Sequence, residues 1–294
     1  MIALYNLEPQ VVNSAMMRVS SYHKNKGDQV ELYNHLEHNN YEKIYAFSLF
    51  QFTSKSMVTN KMICGGTGFD LTTKLSKQIE EQDYDWSLYP NCDFSLVWFS
   101  TGCIRNCPFC VVRKKEGLIK SVIPKNLNPN GKYIKIQDNN FFANPKWKDA
   151  IEQLKEWKQP IEFAGGLDIR LMTKEMAEAI NSFKMFKQIK FAWDNPKEDL
   201  LPKFKEVIQW IKPYKIACYV LIGFWSSPEE DLYRIEELRK LKIDPFVMPY
   251  NKEDRYQRDF ARWVNHKAIF RKVAWKDYKK KKQLTGMSSE ELKE

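Results

Sequence analysis

The 294-residue chain lacks any apolar run approaching the roughly 20 residues that a membrane-spanning helix needs; the stretches at 43–53 and 218–225 are far shorter. Its start, Met1-Ile-Ala-Leu-Tyr-Asn-Leu-Glu, has no basic region and meets an acid and a proline at once, unlike a secretory leader. Both absences predict a cytoplasmic protein without a membrane partner. Internal repeats are also missing, and low complexity is confined to the lysines at 279–282. What is present is ordinary globular composition, 43% hydrophobic and 29% charged, which excludes wholesale disorder. The length calls for one barrel-sized domain or two domains of about 100–200 residues.

The net charge of +10 favours an anionic partner, but it is unevenly placed. Residues 251–294 hold 13 Lys/Arg against seven Asp/Glu. Tyr256, Phe260, Trp263, Phe270, Trp275 and Tyr278 interleave with these charges, a pattern compatible with a nucleic-acid surface. The same spacing suits an amphipathic helix burying Phe260, Trp263, Val264, Ile269 and Phe270, and that is the favoured reading.

Strand and helix patterns alternate along the chain, which predicts an α/β fold with parallel sheets. In the first 90 residues the expected strands are 2–7, 29–33, 43–50 and 62–63, with helices at 9–26, closed by Gly27, and at 71–82. Between 64 and 68 lies Cys64-Gly-Gly-Thr-Gly, read as a turn because it lacks the spacing of a nucleotide-binding motif. Residues 83–93 read as a linker or packing bridge. A second series follows, with strands at 94–99, 133–137, 161–164, 189–193, 215–222 and 246–248. Its helices are expected at 145–157, 173–183, 196–211, 228–241 and 254–275. Asn144-Pro145, Asn195-Pro196 and Ser227-Pro228 each place a capping residue before a proline. Six such units suggest a parallel barrel or part of one, with reactive groups at the carboxyl ends of its strands.

Of six cysteines, Cys103, Cys107 and Cys110 fall within eight residues, in Thr101-Gly-Cys103-Ile-Arg-Asn-Cys107-Pro-Phe-Cys110, just after the strand at 94–99. Three thiolates from one loop are soft ligands for zinc, copper(I) or an iron–sulfur cluster. A structural zinc site needs a fourth ligand, and His23, His35, His38 and His266 are all distant in sequence. Three ligands without an evident fourth fit a cluster with one open iron. Cys64, Cys92 and Cys218 read as small buried hydrophobes, and His23, His35 and His38 as surface or interface residues.

The cysteine loop resembles that of the radical S-adenosylmethionine superfamily, which places Cys-x3-Cys-x2-Cys after the first strand of a partial (β/α)6 TIM-like barrel. The resemblance implies a [4Fe-4S] cluster held by Cys103, Cys107 and Cys110, with S-adenosylmethionine on the fourth iron. It further implies reductive cleavage to a 5′-deoxyadenosyl radical that abstracts hydrogen from a substrate, the electron coming from a flavodoxin- or ferredoxin-like donor. Phe109 occupies the aromatic position before the last cysteine. Cofactor contacts implied on the same basis are Asp138 and Asn139 in Gln137-Asp-Asn-Asn140, Asp168 and Arg170 in Gly165-Gly-Leu-Asp-Ile-Arg170, and Ile222 and Gly223 in Tyr219-Val-Leu-Ile-Gly-Phe224. Gly-Gly-Glu, familiar at the second strand, is absent. Asp194, before Asn195-Pro196, is explained by capping alone.

The N-terminal layer resembles the Rossmann-like cobalamin-binding domain that precedes the barrel in one branch of that superfamily. Its motif Asp-x-His-x-x-Gly is missing, because Ser21, Tyr33, Leu36 and Val264 stand two residues before the four histidines. Cobalamin bound without that ligand stays open. The expected organisation is residues 1–90 as this layer, 91–250 as the barrel and 251–294 as a basic helical extension. Two other readings are a cobalamin-dependent radical methylase and a nonenzymatic zinc-dependent nucleic-acid-binding protein.

Overall fold

The computed structural model describes residues 1–278, so the lysines at 279–282 lie outside the described residues. The chain divides into two compact units, Met1–Ile161 and Glu162–Glu294.

The first unit opens with β1 (Ile2–Asn6), α1 (Ser14–Asn25), β2 (Val30–Leu32), β3 (Lys43–Phe47) and β4 (Met62–Gly65). The strands form a parallel sheet in the order β2-β1-β3-β4, with Ile2 facing both Val30 and Lys43. α1 starts later than residue 9 because the Asn13 side chain accepts hydrogen bonds from the Ala15 and Met16 amides. Gly27, at φ +84°, follows the last turn as expected. The buried face of α1 carries Met16 and Val19, which join Ile2, Leu4 and Phe47 in one core cluster. Each such side chain contributes about 1.5–3 kcal/mol when fully buried. That face, more than helix propensity, holds α1 on the sheet.

Three expectations are corrected in this unit. His23 is buried, not superficial: Nδ1 lies 2.6 Å from Asp28 Oδ2 and Nε2 lies 3.1 Å from the Tyr45 hydroxyl. β3 stops at Phe47 because buried Glu8 takes the Ser48 hydroxyl and the Leu49 and Phe50 amides out of any strand ladder. The helix expected over 71–82 shrinks to α2 (Lys77–Glu80), since Asp70 accepts from the amides and hydroxyls of Thr72 and Thr73 and holds that stretch as a turn. Residues 83–93 do bridge by packing: Tyr84 and Trp86 are buried with Met17 and Leu96.

Next come β5 (Phe94–Val97), β6 (Ser100–Thr101), α3 (Val112–Glu116), β7 (Lys120–Ser121), β8 (Tyr133–Ile136) and α4 (Trp147–Trp157). β5 and β8 pair in parallel, and β6 pairs antiparallel with β7. The Ile134 amide donates to Pro160 O, and β9 (Ile161–Phe163) begins where the second unit takes over.

The second unit continues with α5 (Lys174–Asn181), β10 (Ile189–Ala192), α6 (Leu201–Val207), β11 (Ile216–Ile222), α7 (Pro228–Lys240) and β12 (Asp244–Pro249). β10, β11 and β12 form a parallel sheet, and Leu167 adds a parallel bridge to Phe191. The helix expected over 254–275 is broken into α8 (Arg255–Asn265) and α9 (Lys267–Lys272), with His266 capping the second. Phe260, Trp263, Val264, Phe270 and Trp275 are all buried, so the aromatic stripe is core. Asn265 bonds both the amide and the carbonyl of Val247, which satisfies the β12 backbone at that point. Both units are therefore α/β with parallel sheets. Among the described residues no helix is long and apolar enough to cross a membrane.

Candidate functional site

The loop between β6 and β7 carries Cys103, Cys107 and Cys110, each half-buried. Its base is tight. Gly102 sits at φ +79°, and a Cβ there would lie 2.4 Å from Leu118 O, so only glycine permits this approach. The Cys103 amide donates to Gly117 O at 3.2 Å, and Arg113 Nη1 donates to Cys103 O at 3.0 Å. Within the loop the Cys110 amide donates to Cys107 O at 3.0 Å, a turn that includes Phe109. The Arg105 amide reaches Cys103 Sγ at 3.4 Å, the kind of N–H to sulfur bond that tunes thiolate-held clusters.

As a donor set, three thiols on one closed loop fit a soft metal centre. The nearby Thr101 Oγ1 is buried and has no hydrogen-bond partner among the described residues. Among the described residues no three His, Cys, Asp or Glu side chains are arranged to hold a metal ion. The loop collects the donors without yet closing them round one point. Of the other cysteines only Cys218 is buried as expected; Cys64 and Cys92 are half-buried instead, because each lies at the edge of its packed layer, and partial or full burial pushes all three thiols up and disfavours the thiolate.

Just after β8, Asn139 turns to this loop and Asp138 to the strand that leads into it. Asp138 is 3% exposed; its Oδ1 accepts from the Phe99 amide at 2.8 Å and its Oδ2 from the Ser100 hydroxyl. Asn139 Nδ2 donates to Glu116 Oε2 at 2.8 Å and to Gly102 O at 3.3 Å. Glu116 carries no motif, and only the folded loop reveals its part. Burial raises the Asp138 carboxyl to about 6, against the opposing bonds from Ser100 and Phe99. A carboxyl raised by folding contributes stability that is complete below its unfolded value and lost as pH rises through about 6. Asp138→Asn removes this titration. The stability of the native chain relative to the variant is expected to fall by roughly 2–3 kcal/mol between pH 4 and pH 7. Urea unfolding at both values tests it, and a difference independent of pH would refute the assignment.

In the second unit, Asp168 caps the 3-10 turn Ile169–Leu171 and accepts from the Arg170 amide at 3.2 Å and from Arg170 Nε at 2.6 Å. Arg170 also pairs with Glu198. Ile222 is buried and its carbonyl accepts from the Tyr250 amide at 3.1 Å, while the Gly223 amide donates to the Ser226 hydroxyl at 3.3 Å. Gly223 has φ +77°, a backbone conformation that favours glycine, and the end of the Gln257 side chain packs over it. Asp194 Oδ1 accepts from the Leu221 amide at 3.1 Å, and burial raises its carboxyl. That bond ties the end of β10 to β11 rather than capping the next helix.

Sequence reading missed Arg234. This buried guanidinium donates to Trp193 O at 2.7 Å, Leu221 O at 3.1 Å and Asp231 Oδ1 at 2.7 Å. Its only sequence signal is Asp231 three residues earlier on α7, a common surface pairing. Compared with known proteins, the chain matches no family model and no curated relative.

Proposed function

We propose that the chain is a radical S-adenosylmethionine enzyme. The observation that carries this reading is the Cys-x3-Cys-x2-Cys loop, which follows β5 and the short β6 at the start of a parallel βα series and is closed at its base by its own backbone. Cys103, Cys107 and Cys110 would hold a [4Fe-4S] cluster, which when bound supplies the electron that splits S-adenosylmethionine. Phe109 flanks that site. Asp168, Arg170 and the Ile222–Gly223 backbone are the groups assigned to the cofactor. Asp138 and Asn139 belong to the same assignment; Asn139 also bonds the loop at Gly102, and Asp138 the strand that leads into it. The partial barrel over 91–250, the cobalamin-binding-like layer over 1–90 and the basic extension over 251–294 belong to the same proposal. So do a cytoplasmic setting and a flavodoxin- or ferredoxin-like electron donor.

The chain's own residues bind and orient; hydrogen abstraction falls on a substrate whose class the loops leave unassigned. Cobalamin is given no role, because Asp-x-His-x-x-Gly is missing. The buried aromatic stripe of α8 also weakens a nucleic-acid reading of the basic extension. Anaerobic reconstitution with iron and sulfide is expected to give about four irons per chain. Dithionite and S-adenosylmethionine should then yield 5′-deoxyadenosine. Zinc without acid-labile sulfide, and no 5′-deoxyadenosine, would overturn the proposal.

A further inference from the structure

We infer that Glu116 is the positioning residue of the cysteine loop, presenting the thiols of Cys103, Cys107 and Cys110 to a soft metal centre. The inference rests on the proposed ligand role of those thiols. Glu116 Oε2 accepts from the Gly102 amide at 2.7 Å and from Asn139 Nδ2 at 2.8 Å. Asn139 Nδ2 reaches Gly102 O at 3.3 Å, so both polar groups of Gly102 are held, one by Glu116 and one by Asn139. The next amide, that of Cys103, is tied to Gly117 O beside the same glutamate. Asp138 completes the frame from the strand side through Phe99 and Ser100.

The consequence is entropic. The segment from Gly102 to Gly117 has its two ends fastened together by the fold, so a metal has only to draw in the thiols between them and not to bring the ends together as well. Freed from Glu116, the Gly102 peptide would regain its mobility, and the first thiol would lose its fixed starting direction. Partners that orient ligands in this way typically alter metal affinity by about 10–100-fold. A single oxygen, Oε2, accepts both bonds. A glutamine oxygen can take the same place and accept the same two bonds, each weaker than to a carboxylate.

The test is Cd2+ titration of the reduced, metal-free full-length chain under anaerobic conditions, read from thiolate-to-metal absorption. Glu116→Gln is expected to bind within about threefold of the native chain, and Glu116→Ala about 10–100-fold more weakly. Thermal unfolding checks that the alanine variant is folded. If it is not, Asn139→Ala decides, with a smaller loss of affinity in the same direction expected. Native-like affinity in the deciding alanine variant, or a glutamine variant as weak as Glu116→Ala, would overturn the inference. Cd2+ binding needs neither iron, sulfide nor S-adenosylmethionine. An unchanged Cd2+ affinity alongside 5′-deoxyadenosine formation would thus remove the inference alone. A Glu116 effect in a chain that forms no 5′-deoxyadenosine would remove the functional reading alone.

Discussion

Alanine at Cys107 is expected to abolish cluster retention and 5′-deoxyadenosine formation together, with iron falling from about four per chain toward zero. Cys107 is the middle donor of the loop, and its carbonyl takes the Cys110 amide in the turn between them. Removing its thiol leaves two donors where three already leave one iron open. The remaining cysteines form the control. Cys64→Ser and Cys92→Ser should keep iron and product, because both lie outside the loop and partial burial pushes their thiols up, away from the thiolate form. Cys218→Ala should also keep both, at a cost of about 1 kcal/mol for the small cavity it leaves in the core. Iron and sulfide assays, chromatography of the nucleoside product and circular dichroism for folding together decide the matter. Four irons and undiminished product in Cys107→Ala would end the proposal, as would loss of iron on replacing Cys64 or Cys92.

The spacing of the three cysteines is legible in the sequence because it lies in one short segment, and the strands are legible where apolar β-branched and aromatic residues run together, as over Ile216–Ile222. Helix starts are less so, since three similar dipeptides have different outcomes. Ser227-Pro228 opens α7 with a full capping box through Glu230. At Asn195-Pro196, Glu198 is drawn to Arg170 and its carbonyl accepts the Trp193 indole N–H, so α6 waits until Leu201. Asn144 spends its side chain on Phe99 O, Ser121 and the Lys146 amide, and α4 starts at Trp147. Tertiary partners outbid the local signal in both cases. Glu116 and Arg234 were beyond reach for the same reason: most of their partners are groups distant in sequence that only folding brings near.

Arg234 is where that long-range logic has its largest expected effect on stability. Its guanidinium gathers the carbonyls that end β10 and β11 and pairs with Asp231, both side chains at most 1% exposed. Asp231 further accepts from the Ser226 hydroxyl and from the Tyr256 hydroxyl, the latter at 3.0 Å. Arg234→Met fills similar volume but leaves a buried carboxylate without its cation, which is expected to cost about 3–5 kcal/mol in urea unfolding at pH 7. Burial already raises the Asp231 carboxyl in spite of Arg234, and without the guanidinium it rises further. A carboxyl raised by folding contributes stability below its unfolded value and loses it as pH climbs through the folded one. The deficit of Arg234→Met should therefore shrink toward pH 4–5. Adding Asp231→Leu removes the stranded charge, so the double variant should recover much of the loss at pH 7. If it is instead as unstable as the sum of the two single changes, the guanidinium acts chiefly on the strand-end carbonyls, and the ion pair is not the source of the cost.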